Sequence, residues 1–277
     1  MSMSLAADRS TPHHEDAPLV GHPHPHDKLH PRLYAAEFFG TALLVLAGLS
    51  LVILLFGTGS PVSALLPSAA ARRAIAGFLF GSVGTLVTLS PLGRVSGAHI
   101  NPVVTLAFWL ERKIAWRDAL LYVAAQYAGA VLGALPLLAW GSIGRSVEFG
   151  ATVPLNDVAP WLPVLGEAGS AFLLVVTIFV FTAHRETRPF TPYTMAPLFS
   201  FLVWLEAPLS GTSANPARSF GPALVAWVWH RQWVYVVGPC LGAAVAVALL
   251  RLEFWGRHRP HEARVFHFRH PAPAARR

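Results

Sequence analysis

Two short runs hold the residues with the clearest chemistry, Ser96-Gly97-Ala98-His99-Ile100-Asn101-Pro102 and Ser210-Gly211-Thr212-Ser213-Ala214-Asn215-Pro216. Asn is a preferred helix N-cap, and Pro fits the first helical position, where no N–H is needed. Each Asn-Pro pair therefore starts a helix abruptly. It also sets a side-chain amide at the mouth, able to donate a hydrogen bond to the oxygen of a small polar molecule. One Asn-Pro alone is an ordinary turn or helix start; two in matching frames are specific. Arg218 follows Asn215 closely, and a guanidinium in an apolar setting is costly enough to mark a functional position. Glu37 and Glu167 lie near the starts of apolar runs. A carboxylate there either relays protons or accepts hydrogen bonds from unpaired backbone N–H groups.

Enzymatic chemistry finds no support. His-Glu-x-x-His and Gly-x-Ser-x-Gly are both absent, so no metalloprotease or hydrolase constellation is expected, and no cofactor or metal site. Cys240 is the sole cysteine and excludes an internal disulfide framework. The stretch His22-Pro23-His24-Pro25-His26 offers imidazoles. Its Pro-rich backbone is extended, however, and need not bring them to one ion, so it reads as a solvated tail.

The elements that must position these groups follow from composition. Of 277 residues, 54% are hydrophobic and 13% charged, against about 25% charged in an ordinary soluble domain. Six long apolar stretches run from Leu33 to Phe56, Ala74 to Ser90, Leu120 to Trp140, Leu162 to Ala183, Tyr193 to Leu205 and Trp233 to Leu250. The fifth is short unless it extends from near Phe190 to Ala207. A spanning helix needs roughly 20 residues, and strands would show alternation, so six transmembrane helices are expected. The two Asn-Pro helices are too short to span. About ten residues reach roughly 15 Å, half the hydrocarbon thickness, which suits re-entrant half-membrane segments.

Glu37 echoes Glu167, and Gly129 and Gly133 echo Gly238 and Gly242. Three spans per half make the two halves, about 33–140 and 161–251, an inverted-topology repeat. The expected organisation is a disordered His/Pro-rich tail over 1–32, an all-α membrane domain over 33–251 and a basic disordered tail over 252–277. The net charge of +7 belongs largely to one face. With both termini on one side, that side receives every Lys and Arg except Arg72, Arg73, Arg145, Arg218 and Arg231. The positive-inside rule then puts both termini in the cytoplasm, and no nucleic-acid partner is needed to explain the charge.

The doubled Asn-Pro motifs, the paired Glu and the six-span order resemble the aquaporin, or major intrinsic protein, family over about Leu33 to Leu250. The resemblance implies a passive channel in the cell membrane for water, and for small neutral solutes such as glycerol, that excludes protons and ions. It also implies a homotetramer embedded in the lipid bilayer. Asn101, Pro102, Asn215 and Pro216 would form the pore centre, Arg218 the outer constriction, and Glu37 and Glu167 the loop supports. His99 would line the cytoplasmic half of the pore. The alternative is an ion-coupled secondary transporter, which also uses inverted repeats and broken helices.

Counting against the family's filter positions puts Thr212 and Val203 in the constriction, where water-specific bacterial members carry His at the latter. The second-span position falls on Gly81 without a gap or on Phe80 with one inserted residue. Phe80 gives an intermediate filter and Gly81 a wide one. Ser219, where glycerol facilitators carry Asp, with Ala223 and Tyr235, looks water-type; Val236 replaces the usual Trp. Glu206, before Pro208 at the end of the fifth span, is expected to be an interfacial carboxylate in water; the alternatives are that it faces the outer vestibule or pairs with an arginine such as Arg218 or Arg231.

Overall fold

The structure is a computed structural model and describes residues 29–252 and 260–266. The His-Pro stretch lies outside the described residues. Eight helices carry the architecture: α1 (Pro31–Phe56), α2 (Ala69–Leu89), α3 (Pro102–Leu110), α4 (Trp116–Ala134), α5 (Trp161–Ala183), α6 (Thr191–Ser210), α7 (Pro216–Ala226) and α8 (Val234–Leu250). No strand occurs among the described residues. α1, α2, α5 and the stretch from Trp116 to Arg145 that contains α4 are long and apolar enough to cross a membrane. α6 adds 20 residues and α8 an apolar 17, completing six spans. α3 has 9 residues and α7 has 11, so each covers about half the thickness.

The boundaries differ from those expected for local reasons. α1 begins at Pro31, inside the segment assigned to the N-terminal tail. The His30 amide donates to the Tyr34 hydroxyl (2.9 Å), and the His30 ring lies 3.0 Å from Asp118. α2 starts at Ala69 rather than Ala74, because the Ser68 hydroxyl caps it by accepting from the Ala71 amide. Arg72 then turns back onto the carbonyls of Ser63 and Leu66. The third span stops being α-helical at Ala134 and tightens into a 3-10 turn over Leu135–Trp140; Pro136 has no N–H to continue the ladder.

Glycines decide how the spans meet. A Cβ on Gly129 would lie 2.1 Å from the Phe38 carbonyl oxygen, and one on Gly133 would lie 2.2 Å from that of Ala42. In the second half, Gly242 stands in the same relation to Ala168 (2.0 Å) and Gly238 to Val164 (2.7 Å). α1 thus packs on α4 as α5 packs on α8, backbone against backbone, as small-residue membrane contacts permit. We expect Gly242→Ala to lower the melting temperature in detergent, since overpacking costs about 1–3 kcal/mol. Gly169→Ala, whose Cβ meets nothing within 4 Å, should not.

Leu43, Phe78, Leu86, Leu173, Phe201 and Leu249 are exposed and form an apolar exterior suited to lipid. Trp116, Trp161 and Trp233 are exposed at helix starts, where interfacial aromatics belong. Residues 260–266 depart from the expected disordered tail. Ala263 and Val265 are buried against Val103, Val104, Phe108 and Met195, because this short stretch finds an apolar seat between the helices.

Candidate pore and selectivity site

The two loops before α3 and α7 have the same backbone path. Gly97 and Gly211 adopt φ of +89° and +84°, a region open to glycine at little cost. Ala98 and Thr212 follow at +56° and +51°, and Ile100 and Ala214 at +41° and +48°. Left-handed backbone at non-glycine residues persists only when its surroundings enforce it. The enforcement comes from Glu37 and Glu167, both fully buried. Glu37 accepts from the amides of His99 (3.0 Å) and Ile100 (2.6 Å), and Glu167 from those of Ser213 (2.8 Å) and Ala214 (2.8 Å).

Further side chains complete each brace, and of these the sequence had singled out neither Gln126 nor Tyr122. Gln126 Nε2 donates to Glu37 at 2.7 Å, and Ser210 Oγ donates to Glu167 at 2.5 Å. The Tyr122 hydroxyl donates to the Ser96 carbonyl (2.8 Å) as the Tyr235 hydroxyl does to that of Ser210 (2.5 Å). The halves therefore repeat down to individual hydrogen bonds. The Ser-Gly openers signalled the loops, but Tyr122 carries no local signal.

Asn101 and Asn215 cap α3 and α7, their Oδ1 atoms accepting from Val103 and from Ala217 and Arg218. Each Nδ2 then crosses to the opposite loop. Asn101 donates to the Ala214 carbonyl at 2.8 Å, and Asn215 to the Ile100 carbonyl at 3.0 Å. The two helix N-termini consequently meet, each bringing about half a positive charge. A carboxamide has two N–H groups, so each asparagine keeps one beyond this crossing bond. Both line a central cavity of about 60 Å³ with Gly81, Gly84, Thr88 and His99, room for a few waters. His99 is stacked on Phe108, with Nδ1 3.1 Å from the Thr105 hydroxyl.

A second cavity of about 410 Å³ opens beyond the first, lined by Phe80, Thr152, Phe199, Val203, Thr212 and Arg218. Phe80 and Phe199 border both cavities and so stand between them. Arg218 is buried, donates to the Gly150 carbonyl (2.9 Å) and holds its guanidinium carbon 5.7 Å from the Phe80 ring centre. The Phe80 ring lies against Gly48, where a Cβ would come within 2.5 Å of it. Gly81 instead turns to the α6 backbone, a Cβ there falling 2.4 Å from the Met195 carbonyl. Of the two second-span candidates, Phe80 is therefore the one beside Arg218, Val203 and Thr212.

Glu206 is neither a hydrated interfacial carboxylate nor part of an open vestibule, and among the described residues it bonds to no arginine. It is buried and accepts the Thr212 hydroxyl at 2.5 Å, with Gly166 leaving room for its carboxylate. The Thr212 hydroxyl proton is thus committed away from the cavity. Ser219 is likewise buried in a hydroxyl chain with Thr152 (2.7 Å) and Ser213 (2.6 Å).

This arrangement has clear relatives. Aquaporin AqpM of Methanothermobacter marburgensis is 32% identical over 228 residues, covering 76% of this chain and 92% of that protein. Human aquaporin-4 is 34% identical over 224 residues, covering 79% of this chain and 66% of that protein. The X-ray structure of the aquaglyceroporin from Plasmodium falciparum shares the fold with a TM-score of 0.67 at 18% identity, covering 81% of this chain and 96% of that one. The family model described as major intrinsic protein matches residues 27–250, and the chain belongs to that family.

Proposed function

We propose that the chain is a passive channel for water and small neutral solutes that excludes protons and ions, with no chemical step. The observation that carries this reading is the alignment of two cavities across Phe80 and Phe199, with Arg218 on one and both asparagines on the other. An oxygen at the centre meets N–H donors from both halves and the positive ends of two helices. Hydronium and metal cations are repelled there, while neutral molecules are not. A water held by both amides points its own protons outward and cannot relay one through the file.

The filter in this reading is Phe80, Val203, Thr212 and Arg218, with Gly81 part of the wall below it. Val203 supplies bulk but no donor, so Arg218 and backbone groups provide the polar contacts. Glu37 and Glu167 spend their oxygens on the loops. That leaves neither as a proton carrier, and it argues against ion coupling. The excess of Lys and Arg on the face bearing the termini supports cytoplasmic termini in a cell membrane. The exposed apolar faces of α1, α2 and α5 are suited to lipid and to the neighbouring subunits of a homotetramer.

Stopped-flow light scattering on proteoliposomes tests this. We expect water permeability above that of empty vesicles, unchanged by sodium, membrane potential or a pH gradient, together with measurable glycerol or urea flux. Flux that needs a sodium or proton gradient would replace the channel by a carrier. Water without any solute would narrow the permeant range.

A further inference from the structure

The mouth of the pore on the face bearing the termini is filled by the chain itself. The Val265 amide donates to the Gly97 carbonyl at 2.9 Å, and the Ala263 carbonyl oxygen lies 3.1 Å from His99 Nε2. A carbonyl only accepts, so His99 carries its proton on Nε2 and offers Nδ1 to the Thr105 hydroxyl. Arg264 fastens the segment from outside by donating to the Arg94 carbonyl at 2.9 Å. A Cβ on Gly97 would come within 2.7 Å of the Ala263 oxygen, so the approach depends on that glycine twice, for its backbone and for its bareness. Ala263 and Val265 are each 4% exposed, and His99 beneath them 1%.

These contacts take up groups a permeant would otherwise use. Donor His99 Nε2–H and acceptor Gly97 C=O stand on the loop that leads to Asn101, and Val265 lines the same cavity as Asn101 and Asn215. Around them Val103, Val104, Ile178 and Met195 form an apolar seat. Backbone pairing plus pockets for particular side chains is how proteins recognise extended peptides.

We propose that this vestibule is a peptide-binding site whose ligand is residues 260–266 of the same chain, and that the seated segment closes the pore. The inference rests on the channel reading above. Only residues 253–259 separate Leu252 from Pro260, a reach of at most about 29 Å. Binding within one chain acts at an effective concentration on the order of millimolar, so a segment of weak intrinsic affinity still occupies its seat.

The test uses the full-length protein and its full-length Val265→Glu and Val265→Ile variants. A carboxylate in the apolar seat is expelled, whereas isoleucine keeps the contact. With the native segment seated nine-tenths of the time, expulsion raises water permeability per molecule about tenfold. Val265→Ile should stay closer to the native level than Val265→Glu does. Hydrogen exchange at the residue-265 amide should be slow in native protein and fast in Val265→Glu. The peptide Pro-His-Glu-Ala-Arg-Val-Phe, supplied at millimolar concentration on both sides of the vesicles, should return the Val265→Glu flux toward native, and a scrambled peptide should not. Equal flux in native and Val265→Glu protein, or fast exchange in the native chain, would overturn the proposal. Absence of water flux from every variant would instead overturn the channel reading itself, and this one with it.

Discussion

Glu167→Ala is expected to abolish most of the water flux, by about tenfold or more, since leaving a single buried donor unpaired already costs about 1–3 kcal/mol. Three donors lose their acceptor together: the amides of Ser213 and Ala214 and the hydroxyl of Ser210. Those amides belong to a stretch whose φ values at Thr212 and Ala214 are positive and relax once the clamp is gone. Asn215 then loses its fixed place at the head of α7, and Arg218 moves with it. Glu37→Ala should act alike, with one Gln126 N–H also losing its acceptor while the Thr105 hydroxyl keeps the other. Glu167→Gln retains one acceptor oxygen but turns an NH2 toward a donor, and should fall between. Stopped-flow permeability normalised to reconstituted protein, with thermal unfolding alongside, reads these outcomes. Native flux from Glu167→Ala would mean that the loop is held by other means.

Val203→His is the second. It adds bulk and a donor to the wall shared by Phe80, Thr212 and Arg218. Glycerol or urea permeability should drop about tenfold, which corresponds to a barrier about 1.4 kcal/mol higher, while water permeability stays within about threefold. Phe80→Ala works in the opposite sense by removing the ring between the two cavities. Solute permeability should rise more than water permeability. Equal loss of water and solute in Val203→His would remove that residue from the constriction. The two substitutions change the same cavity in opposite senses, and their combination should lie nearer to native selectivity than either alone.

The parts of this site that were legible in the amino-acid sequence are those where function requires a local motif. Asn-Pro must sit at a helix start, so both starts were visible, and so was their spacing from Ser-Gly. Glu37 and Glu167 stood out because a carboxylate in an apolar run has few uses. Phe80 and Gly81 could not be separated by counting, because the choice depends on the rotation of α2. Gly81 packs on the Met195 carbonyl, which turns the Phe80 ring toward Arg218. Glu206 was misplaced for a related reason: its partner, Thr212, lies across the end of α6 and a tight glycine turn. The least legible element was 260–266, where a stretch rich in Arg and His hides two small apolar residues. Their partners, Gly97 and His99, are more than 160 residues earlier in the chain.

The crossed asparagine bonds also bear on how the molecule is made. Asn101 is emitted early in synthesis, yet the carbonyl it binds, that of Ala214, comes 113 residues later. At about 5–20 residues per second, the first half waits on the order of ten seconds for the group that completes it. During that interval Glu37 and Gln126 must keep the first loop in shape unaided. A ribosome stalled just short of residue 214 would leave five spans and one Asn-Pro helix with the central amide unmatched, and arrival of Ala214 with α7 would act as the closing step of assembly.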